Sequence, residues 1–267
     1  MSAPVLQPLS TAGRLRSNAG RAPCFFLATA FFGALSLAVS CWEKDGRLQH
    51  RIARQWARVL LPIAGARVEV LGREHLRPWA IYVSNHASYM DTPVIFAKLP
   101  FQFRILAKQS LWKWPFIGWH LNRSGHIPVS VDNGGSGSSV SGLSRALRVL
   151  RAGMPLFIFP EGGRTEDGEL QPFMNGPAFL AIRAQAPLIP MALIGTRELL
   201  PMHSGHFRPG LVRLVIGEAI ETTGYTVRQA DLLTARLEAE ISRLIVDFSP
   251  SGAAAGKTLT ASGKATL

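Results

Sequence analysis

The stretch AIYVSNHASYMDTPVIF, residues 80–96, joins an apolar run typical of a buried strand to a run typical of a helix. His86 and Asp91 lie in the polar segment between the two runs. On one continuous helix this spacing would leave their side chains about 140° apart, so they can meet only if the chain turns between them. Ser88 is a suitable N-cap for the following helix. In that geometry Asp91 would accept the Nδ1–H of His86 and leave Nε2 free as a base; the alternative is a loop histidine beside a helix-capping aspartate.

The rest of the chain alternates short β-rich runs with helical runs. Such alternation favours an α/β domain with a mostly parallel central sheet flanked by helices. The predicted strands are Arg67–Leu71, Ala80–Ser84, Gln102–Ala107, His126–Val131, Pro155–Phe159, Leu188–Ile194 and Val212–Ile216. The predicted helices are Thr92–Lys98, Ser138–Arg151, Gly176–Ala184 and Arg228–Val246.

A second motif, FIFPEGGRT at residues 157–165, places a glycine-rich turn at the end of a predicted strand. Gly162 and Gly163 allow the backbone to approach a ligand closely, and Arg164 offers the forked donors that suit a phosphate group. A plain strand-to-loop turn would account for the glycines but not for the polar residues on either side of them. No Gly-Lys-Ser/Thr follows, so the turn is not a Walker loop.

Together these residues resemble the glycerolipid acyltransferase family, which includes the 1-acylglycerol-3-phosphate acyltransferases. Asn85–Asp91 matches the family's NHxSxxD block at every defined position. Phe159–Thr165 matches its FPEG block, except that Gly163 stands where threonine is usual. Leu188–Met191 is similar to a further apolar block around a proline, and the segment from Lys108 to Gly118 fits the family's connecting segment.

The resemblance implies acyl transfer to a lipid hydroxyl, with acyl-CoA or acyl carrier protein as the donor substrate and with no metal or other cofactor. It implies that His86 is the general base and that Asp91 orients it. Glu161 is expected to orient Arg164, and the backbone N–H groups of the two glycines to stabilise an oxyanion or hold a phosphate. The expected substrate-binding residues are Asn85, Ser88, Lys108, Glu161, Gly162, Gly163, Arg164 and Thr165.

One departure from the family pattern concerns the acceptor. The second block normally ends in Asp-Arg, and here the corresponding residues are Asp132 and Asn133. In the family that arginine is implicated in holding the phosphate of the acceptor. Either Arg123, Arg164 or Lys108 compensates for it, or the acceptor is another lysolipid, such as a lysophospholipid or a lyso-ornithine lipid.

The composition favours a membrane as a partner. The chain of 267 residues is 47% hydrophobic and carries a formal net charge of +12, with a pI near 10.8. Such a chain is attracted to polyanions. Nucleic acid is disfavoured because no RRM, KH or zinc-binding pattern is present. Residues 101–126 interleave aromatic and basic side chains, which fits an interfacial wall or acyl-chain groove, a stacking platform for single-stranded nucleic acid, or ordinary core aromatics.

Residues 23–42 contain no charged side chain and are long enough to cross a bilayer. Three interpretations compete: a signal peptide, a single span, and a helix that enters one leaflet and returns. The next segment, residues 46–65, favours the third, because four arginines fall within about 60° of one another on a helix, as in helices that lie in a membrane interface. The alternative is an amphipathic helix packed on the domain. The four arginines are Arg47, Arg51, Arg54 and Arg58.

We therefore predict a disordered basic N-terminus (1–21), a two-helix membrane anchor (22–64), a catalytic domain (65–248) and a disordered tail (249–267). The expected location is the cell membrane, with the catalytic domain on the cytoplasmic face. The expected partners are membrane lipids and the acyl donor, without nucleic acid, and the sequence gives no indication of the oligomeric state. A non-catalytic lipid-binding protein is the alternative from another functional class.

Overall fold

The computed structural model describes residues 9–43, 45–130, 140–165 and 167–249. A seven-stranded sheet forms its centre, in the order β1-β7-β6-β2-β5-β3-β4. Each observed strand begins and ends within two residues of a predicted one. The strands are β1 (Ala66–Leu71), β2 (Ile81–Ser84), β3 (Arg104–Lys108), β4 (Ile127–Val129), β5 (Leu156–Ile158), β6 (Leu188–Ile194) and β7 (Gly210–Ile216).

The sheet is mostly parallel, which confirms the predicted fold class. The pair β6–β7 is antiparallel, and every other neighbouring pair is parallel. Strands β2, β3, β4, β5 and β6 therefore run in one direction, and their C-terminal ends share one edge of the sheet. In sheets of this kind the segments that leave this edge build the ligand site.

Helices cover both faces of the sheet. Residues of α3 and α4 share one buried apolar cluster with the strands, whereas residues of α6, α7 and α9 share the other. Three helices, α1, α5 and α8, were not predicted from the sequence. The helices are α1 (Thr11–Leu15), α2 (Ala22–Val39), α3 (Arg47–Ala64), α4 (Asp91–Lys98), α5 (Ile117–Arg123), α6 (Val140–Arg151), α7 (Gly176–Ala184), α8 (Thr196–Leu199) and α9 (Ala230–Phe248).

The N-terminal region is more ordered than predicted. α1, a π-helical segment (Arg16–Arg21) and α2 form one helix, Thr11–Val39, that is long and apolar enough to cross a membrane. The prediction of a disordered segment 1–21 is therefore wrong from residue 11 onward. The reason is local: the Ser10 hydroxyl accepts the backbone N–H of Gly13 and caps the helix start. Residues 1–8 and 250–267, also predicted to be disordered, lie outside the described residues.

Helix α3 belongs to the catalytic fold as well as to the N-terminal region. Its small residues Ala53, Ala57 and Ala64 are buried in the same apolar cluster as the sheet, while Arg47 and Arg51 point into solvent. On this buried face α3 is therefore an amphipathic helix packed on the domain, which was the alternative considered from the sequence. The predicted boundary between residues 64 and 65 separates two parts that fold together.

Candidate active site

His86 and Asp91 meet at the turn between β2 and α4. The His86 Nδ1–H donates to Asp91 Oδ2 at 2.8 Å. The same oxygen accepts the backbone N–H groups of Ala87 and Ser88, each at 2.8 Å. The Asp91 side chain is fully buried and begins α4, where the helix dipole favours a carboxylate. Three donors and the dipole thus hold Asp91 in place, and Asp91 fixes the ring so that Nε2 is free to act as a base.

The ring of His86 also has a fixed plane. It stacks on Phe159 with 3.9 Å between ring centroids and 16° between planes, and 19% of the His86 side chain remains exposed. Phe159 follows β5 directly, and β5 is hydrogen-bonded to β2. No role for Phe159 was predicted from the sequence, because the contact depends on the pairing of β5 with β2.

The two motif loops interlock through backbone groups of His86. The His86 N–H donates to Glu161 Oε1 at 2.6 Å, and the His86 carbonyl accepts the N–H of Thr165 at 3.1 Å. Glu161 Oε2 accepts the N–H of Gln171 at 2.9 Å. The expectation that Glu161 orients Arg164 is therefore wrong, because both of its oxygens hold backbone N–H groups. Glu161 instead fastens the β5 loop to the residue that carries the base.

Burial changes the acidity of this carboxyl group. Loss of hydration raises the pKa of Glu161 to about 7, and the hydrogen bonds from Gln171 and His86 oppose that rise. A carboxyl group with a pKa near neutrality, placed directly beside the base, makes the loop contact sensitive to pH in the physiological range.

Arg164 and the two glycines also belong to the β5 loop. The Arg164 guanidinium lies 3.4 Å from the ring centroid of Tyr89, a cation–π contact that joins the two loops once more. Gly162 has a φ of +72°, which explains a glycine at that turn. At Gly163 an added Cβ would meet no atom within 4 Å, so the threonine usual in the family would fit there.

Comparisons with known proteins agree with this geometry. A family model described as Acyltransferase matches residues 67–194. A 1-acyl-sn-glycerol-3-phosphate acyltransferase of Chlamydomonas reinhardtii is 31% identical over 223 residues, which cover 80% of this chain and 66% of that protein. The alpha form of Homo sapiens is 28% identical, over 74% of this chain and 71% of the relative. The chain belongs to the glycerolipid acyltransferase family.

Two further comparisons concern the length and the fold of the chain. A chloroplastic 1-acyl-sn-glycerol-3-phosphate acyltransferase of Brassica napus is 31% identical over 65% of this chain and 51% of the relative, so the chain spans about half the length of that protein. The crystal structure of the 1-acyl-sn-glycerophosphate acyltransferase PlsC from Thermotoga maritima has the same fold. Its TM-score is 0.65 at 23% identity, and the match covers 83% of this chain and 95% of PlsC.

Two residues of the family's first block are built into the protein interior. The Asn85 amide is buried, donates to the Leu193 carbonyl at 3.0 Å and accepts the Leu193 N–H at 2.8 Å. The buried Ser88 hydroxyl donates to the Leu200 carbonyl at 2.9 Å and accepts the Met90 N–H at 3.2 Å. These contacts hold the loop between β2 and α4 against β6 and the segment after it. Asn85 and Ser88 are therefore bonded to backbone groups of the protein interior, and their expected contact with a substrate stays a prediction. Helix α4 begins at Asp91 without a Ser88 N-cap.

The other expected substrate-binding residues are less enclosed, with one exception. Lys108 is exposed at the C-terminal end of β3, on the same sheet edge as the dyad, whereas Thr165 is buried. Arg123 donates from Nη1 to the Ser40 carbonyl just after α2, and its suggested role in holding the acceptor phosphate stays a prediction. Asn133 lies outside the described residues. In the part of the chain that the structure describes, no cluster of three or more His, Cys, Asp or Glu could hold a metal ion.

Proposed function

We propose that the chain transfers an acyl group from a thioester donor to the free hydroxyl of 1-acylglycerol-3-phosphate and forms phosphatidic acid. One observation carries this proposal: Asp91 orients His86, and Glu161 of the Glu-Gly-Gly-Arg-Thr loop holds the backbone of the same histidine. The names of the relatives support the same acceptor. The donor stays a prediction, either acyl-CoA or acyl carrier protein.

The chemistry follows from the free Nε2 atom of His86. Nε2 accepts the proton of the acceptor hydroxyl while the hydroxyl oxygen attacks the thioester carbonyl, and Asp91 stabilises the imidazolium that forms. The new C–O bond replaces the C–S bond, and the proton passes from the imidazolium to the departing thiolate. A thioester is already activated, so no covalent enzyme intermediate is needed. Such a base contributes about 10²–10⁴ in rate.

A second candidate acceptor is a lysolipid without a free phosphate monoester, and the observation that favours it is Asn133. Arg164 is the half-buried arginine of the β5 loop, and its forked donors are suited to anchoring an anionic group of the acceptor. With Asn133 in place of the family's arginine, the acceptor phosphate has one fewer cationic partner.

The acceptor is tested by a screen with the purified full chain. Labelled acyl-CoA and labelled acyl carrier protein are each offered with lysophosphatidic acid, a lysophospholipid and a lyso-ornithine lipid. The proposal expects phosphatidic acid as the main product, and no transfer from either donor to any acceptor would overturn it. The screen is repeated with Asn133→Arg. Improved use of lysophosphatidic acid would identify position 133 as an acceptor determinant.

We also propose that the N-terminal helix lies within one leaflet of the membrane. Positions 18, 25, 29, 36 and 40 line one side of it, and each contacts the catalytic domain. Positions 18 to 40 extend over about 33 Å of helix, a length similar to the ~30 Å hydrocarbon core. A helix crossing the bilayer would carry the attached domain surface into hydrocarbon. The contacts are Asn18–His206, Phe25–Phe207, Thr29–Trp56, Ser36–His120 and Ser40–Arg123.

Exposed apolar side chains suit that placement. Phe26, Leu27 and Phe31 project from the helix on the sides that do not contact the domain. Near its C-terminal end, the α5 region that docks on Ser36 and Ser40 exposes further aromatic rings, as expected for the interfacial wall proposed from the sequence. These exposed rings are Trp114, Phe116 and Trp119, and Trp42 is a further exposed ring just after the helix.

The two cysteines test this placement. Cys24 and Cys41 are both exposed and lie near opposite ends of the apolar helix. In sealed vesicles a membrane-impermeant thiol reagent should reach both from the same side. Labelling of one cysteine from each side would show that the helix crosses the membrane.

A further inference from the structure

A cavity of about 480 Å³ lies between α3, β1 and the C-terminal end of α4. Four basic side chains line it: Arg54 and Arg58 from α3, Arg73 from the turn after β1, and Lys98 from the last turn of α4. The volume is in the range of small-molecule sites and exceeds the size of a single phosphate ion.

The cavity is separate from the candidate active site. α4 begins at Asp91, which orients the base, and ends at Lys98, which lines the cavity. The helix rise places these two residues about 10 Å apart along the axis. No residue of the two motif loops lines the cavity.

The positive charge of the cavity has no partner on the described chain. None of the residues that line the cavity is acidic, and none of its four basic side chains forms an ion pair with a described residue. Arg54 is fixed by a hydrogen bond from Nη1 to the Pro100 carbonyl at 3.2 Å, while its buried Nε has no partner among the described residues. The site therefore retains donors for an incoming group.

The cations are close enough to act on one another. Burial, Arg73 and Arg58 together lower the pKa of Lys98. Burial and the charge of Arg58 lower the pKa of Arg54. An anion in the cavity would relieve this repulsion and satisfy the free donors.

We propose that the cavity binds a phosphate group that carries a small substituent. The arginine forks match phosphate oxygens, and the space beyond a phosphate ion would hold the attached group. Two sources share this chemistry: the headgroup of an anionic membrane phospholipid, and a dissolved phosphate ester. The four aligned arginines of α3 therefore fall into two groups. Arg54 and Arg58 line the cavity, whereas Arg47 and Arg51 do not.

The first experiment compares two pairs of substitutions that remove equal charge from the full chain in nonionic detergent. Arg58→Gln/Arg73→Gln removes two cavity arginines, and Arg47→Gln/Arg51→Gln removes two exposed arginines outside it. Inorganic phosphate is titrated at constant ionic strength, with calorimetry and the thermal midpoint as readouts. We expect saturable binding that weakens about 10-fold or more in the cavity variant and less than about twofold in the control variant.

A second arm separates the two sources. Binding of the same variants is measured to vesicles of neutral phospholipid, with and without phosphatidic acid. A selective loss in the cavity variant with anionic vesicles assigns the site to a lipid headgroup, and a selective loss with dissolved phosphate alone assigns it to a soluble ester. Equal losses in both variants, or no saturable binding in either arm, would overturn the proposal, because charge alone would then account for the attraction.

Discussion

The loop after β2 and the loop after β5 meet at one sheet edge, yet they are held in different ways. In the first loop, Asp91 Oδ2 accepts three donors and the His86 ring is fixed by stacking. In the second, Glu161 is anchored to backbone groups, while Gly163 adjoins open space and the Arg164 guanidinium lies against the Tyr89 ring. The difference indicates that the first loop fixes the reactive group, and that the second loop positions it and leaves groups free for a ligand.

The largest effect is expected where the first loop loses its anchor. Asp91→Asn leaves one oxygen for the three N–H groups but replaces the carboxylate charge with a neutral amide, which holds the His86 tautomer and its imidazolium less firmly. We expect kcat to fall by about 10²–10⁴-fold, with KM for the acceptor little changed. Steady-state acyl-transfer kinetics measure this, and the thermal midpoint shows whether the variant is folded. A folded variant with kcat within a fewfold of wild type would mean that Asp91 does not orient a base.

A smaller loss of activity is expected when the contact from Glu161 to the loop after β2 is weakened. In Glu161→Gln one side-chain oxygen must serve in place of two, so His86 loses part of its positioning. We expect kcat to fall by up to about 10²-fold, the scale of an ångström-sized displacement. Restoration of activity in Glu161→Asp is not expected, because the shorter side chain cannot reach both N–H groups. Full activity of Glu161→Gln would show that the loop contact is dispensable.

The same pair of proteins tests the acidity of Glu161. Its pKa is raised to about 7 in the folded chain from an ordinary value of 4.5, so the folded state binds the proton more tightly between these values. Stability contributed by the protonated group is present below pH 4.5 and is lost as the pH rises towards 7. The free energy of unfolding of wild type relative to Glu161→Gln should therefore fall across this window in urea titrations. A flat difference would contradict the assignment.

The guanidinium of the second loop should affect binding more than turnover. Arg164→Gln is expected to raise KM for an anionic acceptor by about 10-fold, because one charge-assisted contact is lost. Arg183→Gln is a matched control, since Arg183 also lies over an aromatic ring, Phe179, but on α7. A change in kcat alone, or equal effects of both substitutions, would show that Arg164 does not contact the acceptor.

The smallest effect is expected at the position where this chain departs from the family. Gly163→Thr should change the free energy of unfolding by less than about 0.5 kcal/mol, because the added side chain meets open space. Gly162→Thr should destabilise by about 1 kcal/mol or more, since Gly162 has a positive φ. Urea unfolding of the two variants compares them, and similar losses at both positions would contradict the turn geometry.

The parts that the sequence predicted well depend on local patterns. All seven strands follow from the apolar runs. The spacing of His86 and Asp91 left two alternatives open, and the resemblance to the family favoured the contact that the structure shows. The partners of Glu161, Asn85 and Ser88 did not follow. These side chains contact backbone groups of Gln171, Leu193 and Leu200, which are distant in sequence in two of the three cases and carry no side-chain signal.

In the N-terminal region, too, the sequence predicted the helices but not their tertiary contacts. Hydropathy located the apolar helix, but it could not show that α3 uses three alanines to pack on the sheet, or that polar positions 29 and 36 attach the helix to the domain. The helical period predicted that four arginines of α3 lie on one side of the helix. It could not show which of them line a cavity, because that cavity also requires Arg73 and Lys98 from other elements.

The central claim is that His86 is the base of an acyl transfer, and His86→Ala tests it most directly. The purified variant and wild type are each given labelled acyl-CoA and lysophosphatidic acid, and phosphatidic acid formation is measured alongside the thermal midpoint. We predict a folded variant whose rate is at least about 10²-fold below that of wild type. A folded His86→Ala variant as active as wild type would contradict the account.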